Sequence, residues 1–317
     1  MNSDVYYKKE LEKGLYAILT PEDLLGESLE TFFEKCPPLS GKSINRANFI
    51  KILIYLTELG VNIHEVIVKY PRVLFLDPKE IENIVNYLEN LGINKGDIRR
   101  IVEECPEVLG RGGDIEELKT ITDFLFYVLR IANRDIIGYL FVYYPKEMCR
   151  LRYGRMSDVY EFLKTNLGID DEIIKIMFIR NPDIFNQKPE TIERKLKYLK
   201  KELGIEDKEI VKYIKTQPEK ASIILSSPLL EFYVRTEFAK SKDYFTKLEK
   251  IYQLKDQERG ARILDGLYRL LEPKDDENFI RNLKPSIDNV SLTEYLKFKK
   301  RIIKDLLTNS KTEYNSK

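Results

Sequence analysis

The sequence predicts an all-α protein: an α-solenoid, or superhelix, of about six helical-pair repeats followed by a divergent helical C-terminal region. Prolines recur at Pro37, Pro71, Pro106, Pro145, Pro182 and Pro218, spaced 34, 35, 39, 37 and 36 residues apart, a period that belongs to stacked helix pairs. Glycines at Gly26, Gly60, Gly92, Gly168 and Gly204 run in step, each 11 to 14 residues ahead of a proline. An aromatic-Leu pair closes most repeats, as in Tyr55-Leu56 before Leu59-Gly60, Tyr87-Leu88 before Leu91-Gly92, Phe162-Leu163 before Leu167-Gly168, and Tyr198-Leu199 before Leu203-Gly204.

Each element has a local cause. The repeat glycine adopts the left-handed conformation that closes the preceding helix at little steric cost. In the fifth repeat the next helix covers 169–179, with Ile169, Ile173, Ile176 and Met177 on one face. Pro182 disfavours helical geometry at Asn181 and cannot donate a backbone hydrogen bond, so the chain turns there and re-enters helix after Pro189. The second helix carries Ile192, Leu196 and Leu199 on one stripe and ends at Leu203-Gly204. Asp77-Pro78-Lys79-Glu80 opens the equivalent helix of the second repeat, with an Asp cap, a proline and a Glu three residues on. One such pair cannot bury its apolar face alone, so neighbouring repeats must stack. The fourth repeat has Ala132 in place of its glycine, and the period is lost after Leu225. The sequence therefore divides into a repeat array over 1–225, non-repeating helices over 226–308, opened late by a Ser291 to Glu294 capping box, and a disordered tail over 309–317.

Composition narrows the function classes. Hydrophobic residues make up 43% and charged residues 33% of the 317, enough for a core and for the large solvated surface of a solenoid. No run approaches the ~18 uncharged apolar residues that span a bilayer, so no membrane partner is expected. The first ten residues hold no apolar signal core, and their acids argue against a transit peptide; the expected location is cytoplasmic, and the expected state a monomer. Cys36, Cys105 and Cys149 have no paired spacing, which fits a reducing compartment. The single histidine, His64, excludes a histidine triad or a multi-histidine metal site. Gly110-Arg111-Gly112-Gly113 lacks the Lys-Ser/Thr of a phosphate loop and reads as an extended inter-helix turn. Asp170-Asp171 and Asp275-Asp276 lie where helices begin and suit the helix dipole. The reading is of a protein that is not an enzyme and needs no cofactor or metal.

The run from Leu-Gly through a short amphipathic helix, a proline with apolar residues after it, and a second helix ending in aromatic-Leu resembles the mitochondrial transcription termination factor (mTERF) family. It is clearest in Leu59-Gly60 to Pro71-Arg72-Val73-Leu74, Leu91-Gly92 to Pro106-Glu107-Val108-Leu109, and Leu167-Gly168 to Pro182-Asp183-Ile184-Phe185, within a stretch of about 24–225. The resemblance implies repeats of two α-helices and a short 3₁₀ turn, a concave basic face that holds double-stranded DNA or RNA, and a role in transcription or ribosomal RNA processes.

Lysine and arginine number 53 against 52 acids, a net charge of +1; duplex binding then depends on segregation of charge and not on excess. The candidate phosphate contacts are Arg150, Arg152 and Arg155 between two helices of the fourth repeat, with no carboxylate beside them in sequence. Arg194 and Lys195 belong to a basic run in the fifth repeat. Lys69, Arg72, Lys146, Arg180, Lys215 and Lys220 flank repeat prolines, and Arg134 lies near the start of the fourth repeat. Tyr143, Tyr144 and Tyr153 are candidates for stacking on bases or for packing between helices. The other reading is a protein-protein scaffold that uses the solenoid's concave face, which the near-neutral charge favours.

Overall fold

The computed structural model of the chain describes residues 46–252, 256–287 and 290–314. Gly26, Cys36 and Pro37, and with them the first part of the first repeat, lie outside those residues. Among the described residues there is no strand, as the helical periodicity requires. The chain forms two compact bodies that divide between Tyr153 and Gly154.

In the first body α1 (Arg46–Glu58) is followed by α2 (Ile63–Lys69), a 3₁₀ turn at Pro71–Phe75 and α3 (Pro78–Asn90). The pattern repeats as α4 (Lys95–Glu104), a 3₁₀ segment at Pro106–Asp114 and α5 (Ile115–Asp123), which runs into a π-helical turn at Phe124–Val128. It then repeats as α6 (Arg134–Tyr143), α7 (Pro145–Arg150) and the start of α8 (Tyr153–Glu161). In the second body α8 continues into a π-helical turn at Phe162–Asn166, then come α9 (Asp171–Arg180), a 3₁₀ turn at Pro182–Asn186, and α10 (Pro189–Leu203). α11 (Asp207–Thr216), α12 (Pro218–Ser226) and α13 (Leu229–Ser241) follow, then α14 (Tyr244–Tyr252), α15 (Asp256–Leu271), α16 (Asp276–Leu283) and α17 (Leu292–Tyr314). The last helix thus occupies most of the stretch expected to be a tail.

Every described repeat proline starts a turn or a helix. Asp77 caps α3 as expected, its side chain accepting from Lys79 N at 2.8 Å while Glu80 reaches back to Asp77 N, with Pro78 at the first helical position. Gly60, Gly92, Gly168 and Gly204 take φ of 70°, 83°, 60° and 63°, the left-handed geometry that closes a helix.

The fourth repeat corrects the sequence alignment. Its left-handed residue is Arg130, φ 52°, and not Ala132. Leu129 N donates to Phe124 O and Ile131 N to Leu125 O, matching Leu167 N to Phe162 O and Ile169 N to Leu163 O one repeat later. Arg130 therefore occupies the place of Gly168, at a steric cost that glycine avoids.

Stacking builds the core. Ile52, Leu53 and Leu56 of α1, Ile81, Ile84 and Leu88 of α3, and Ile98 and Ile101 of α4 are completely buried. In the second body α12 packs between α9 and α15, and α17 packs on α13 and α16. Ile174 and Met177 of α9, Phe232 of α13 and Phe279 of α16 are likewise removed from water.

Candidate nucleic-acid interface

Where the cations point depends on what the helix ends require. A helix cut short at a repeat proline leaves its last carbonyls without an intrahelical donor. Cations of one repeat supply donors to the next. Lys69 Nζ donates to Glu103 O at the end of α4 (2.6 Å), and Arg100 Nη2 to Val142 O at the end of α6 (3.0 Å). Arg111 donates from Nε and Nη2 to Cys149 O (3.2 and 2.8 Å) and from Nη2 to Leu151 O, closing α7. In the second body Arg155 Nη1 reaches Asn186 O (3.2 Å), and Lys195 Nζ reaches Leu225 O (2.6 Å) and Ser227 O at the end of α12. Arg235 Nη1 meets Leu270 O (3.1 Å) and Pro273 O at the end of α15. One such bond runs the other way: Arg259, from the non-repeating helices, donates to Leu203 O at 3.1 Å. A positive charge at a helix C-terminus also complements the helix dipole.

Lys195 is thereby removed from the candidate interface. It is 0% exposed, and burial pushes its ammonium down to about 7, with Asp183 the only nearby charge opposing that shift. The sequence held the signal: Ile192, Lys195, Leu196 and Leu199 all fall on the core stripe of α10. Arg111, read from sequence as part of a glycine-rich loop, is buried within a 3₁₀ segment instead of an extended turn.

The cluster of three arginines is broken up. α7 ends at Arg150 and α8 begins at Tyr153, so only Leu151 and Arg152 lie between the helices. Arg152 donates to Leu151 O at 3.0 Å and lies 3.7 Å from the Glu117 carboxylate, an acid that is distant in sequence but near in space. Arg155 is spent on Asn186 O. Arg150 is exposed and makes no ion pair or hydrogen bond among the described residues. Lys146, one turn earlier on α7, is equally exposed and equally without a partner there, so the two project from one side of the helix.

The remaining candidates divide in the same way. Arg180 pairs with Glu219 at 3.0 Å, Lys220 with Asp265 at 2.8 Å, and Lys69 lies 3.5 Å from Glu65. Arg72, Arg134, Arg194 and Lys215 are exposed and carry no ion pair among the described residues. Residues immediately after the repeat prolines read Arg72, Glu107 and Lys146 in the first body but Asp183 and Glu219 in the second. Basic character at the proline turns is therefore confined to the first body and interrupted there by Glu107. Of the tyrosines, Tyr143 is 61% and Tyr153 42% exposed; Tyr143 stacks on Tyr139 (ring centroids 4.2 Å apart) with the Arg100 guanidinium 5.7 Å above its ring.

The two described cysteines are not set up to react. Cys105 and Cys149 are both buried, and the hydrogen bond the Cys149 thiol makes to Cys105, with burial, holds that thiol well above the ordinary range, the opposite of an activated nucleophile. Among the described residues no group of His, Cys, Asp and Glu has the arrangement to hold a metal ion, and no helix is long and apolar enough to cross a membrane.

Helix pairs cut at a recurring proline, closed by a left-handed residue and capped from the preceding repeat define an α-helical repeat protein. The family model described as mTERF matches residues 16–143 and 149–247, and the chain belongs to that family. Its members are non-enzymatic helical-repeat proteins that generally bind nucleic acid. The break in the match falls on the start of α7, where an α-helix stands in place of the 3₁₀ turn seen after Pro71 and Pro182. A comparison with curated proteins finds no match.

Proposed function

We propose that this protein binds double-stranded nucleic acid through its phosphate backbone, in the service of transcription or ribosomal RNA regulation, with Lys146 and Arg150 of α7 at the centre of the contact. The observation that carries this is their freedom. Most other candidate cations near the repeat prolines are engaged by carbonyls or carboxylates, whereas these two stand side by side with no ion pair among the described residues. Arg72, also exposed and without an ion pair, extends the basic character to the second repeat. Contacts of this kind position a protein on a duplex without reading its sequence.

The test is a fluorescence-anisotropy titration of labelled duplex DNA and duplex RNA at several salt concentrations. Wild-type binding that weakens steeply with salt is expected. The Arg72→Gln/Lys146→Gln/Arg150→Gln variant lowers the log-log salt slope by about 3, roughly one per phosphate contact removed. Wild-type protein that binds neither duplex with a salt-dependent affinity overturns the proposal. The alternation of Arg72, Glu107 and Lys146, and the acids Asp183 and Glu219, favour a second reading in which the turns hold a protein partner of mixed charge. That reading predicts no duplex binding and a shallow salt dependence for the partner complex.

A further inference from the structure

We infer that the last helix, α17, carries a second phosphate-backbone surface, outside the stretch matched by the mTERF family model. This rests on the nucleic-acid reading proposed above. Residues 296–304 read Leu-Lys-Phe-Lys-Lys-Arg-Ile-Ile-Lys, with five bases and no acid. Four of them, Lys297, Lys300, Arg301 and Lys304, follow the i, i+3, i+4, i+7 rule and share an arc of about 100° of the helix. All four are exposed. The fifth, Lys299, faces inward, pairing with Glu231 at 2.6 Å and Asp276 at 3.1 Å.

The stripe differs from other basic runs on the protein. On α10, Lys197 pairs with Glu193 (2.9 Å) and Lys200 with Asp207 (2.5 Å), while Lys201 lies 3.9 Å from Glu202; these lysines are locally neutralised. Lys297, Lys300 and Arg301 have no ion pair or hydrogen bond among the described residues, and Arg301 lies 5.0 Å above the Phe298 ring, which orients its guanidinium. From Lys297 to Lys304 the helix advances about 10 Å, a length along which a duplex presents roughly six phosphate charges. A rigid row of cations matched to such a lattice of charge suits a nucleic-acid backbone. A membrane surface fits less well, because the opposite face of α17, with Tyr295 at 0% exposure, is committed to the core, and among its described side chains Leu296 is the one exposed large hydrophobic.

The experiment compares three full-length proteins in the salt titration: wild type, Lys297→Gln/Lys300→Gln/Arg301→Gln, and a charge-matched control, Lys197→Gln/Lys200→Gln/Lys201→Gln. Glutamine keeps helix propensity close to that of lysine and arginine, and circular dichroism checks that each variant is folded. The α17 variant is expected to lower the log-log slope by about 3 and to weaken binding by tenfold or more, while the control lowers it by less than about 1. A wild type that does not bind a duplex overturns the underlying reading. A wild type that binds, with an α17 variant unchanged or no weaker than the control, overturns this inference alone. So does an α17 variant that keeps its duplex affinity but loses binding to vesicles of anionic phospholipid.

Discussion

Arg111 in the first body and Lys195 in the second perform the same task with different chemistry. Each is buried, and each donates to two carbonyls at the end of the helix that follows the next repeat proline, α7 for Arg111 and α12 for Lys195. Arginine stays charged at any pH a protein survives and spreads its donors over a rigid plane. Lysine carries a compact charge that burial can strip, and at Lys195 it brings the group down to about 7. The difference teaches that a cation's presence in a basic run says little about its purpose. Its place on the helix and the carbonyls it faces decide whether it serves the fold or a ligand.

The largest test of this comparison is Arg111→Met. Two buried carbonyls lose their donor, and Glu117, 3.8 Å from the guanidinium, loses a partner, so a cost of about 3 kcal/mol is expected. Urea denaturation measures it; a loss below about 1 kcal/mol would show that the carbonyls find other donors. Lys195→Met is expected to cost about 1 kcal/mol near pH 6.5, because removing the ammonium also removes its desolvation penalty.

The pH dependence of that second variant sharpens the contrast. Folded Lys195 releases its proton near 7, whereas an unfolded lysine holds it until about 10.4. Between those values the unfolded chain binds more protons, so unfolding free energy rises with pH. The gap between wild type and Lys195→Met should therefore widen by about 2 kcal/mol from pH 6.5 to pH 9. The gap for Arg111→Met should stay flat across the same range, since arginine does not titrate there. Parallel curves for the two variants would break the comparison.

The smallest expected effect concerns the left-handed positions. Arg130→Gly should stabilise the first body by about 1 kcal/mol, and Gly204→Ala should destabilise the second by about the same amount. Thermal unfolding of both variants against wild type reads the two shifts; equal signs would mean that φ is not what these sites have in common.

Much of the fold was legible because its punctuation is local. Proline and glycine act on the chain within one or two residues, so Pro71, Pro106, Pro145, Pro182 and Pro218 mark real breaks, and Asp77 a real cap. Arg130 escaped because a left-handed arginine has no sequence signature, and Ala132 drew attention to the wrong residue. The interface was less legible. Glu117 lies 35 residues before Arg152 in the chain yet approaches its guanidinium, and no spacing rule finds such a pair. Lys195 was findable from its stripe. The α17 row is legible too, from helical spacing and the absence of acids over nine residues, but it lies beyond the proline and glycine period that marks the repeats.

The carbonyl-capping bonds between repeats run forward along the chain, from Lys69, Arg100, Arg111, Arg155 and Lys195 to residues 30 to 42 positions later. During synthesis the N-terminal part emerges first. Each of these five carbonyls leaving the ribosome thus meets a donor already waiting on the segment made before it, whereas the end of α10 stays open until Arg259 has been made.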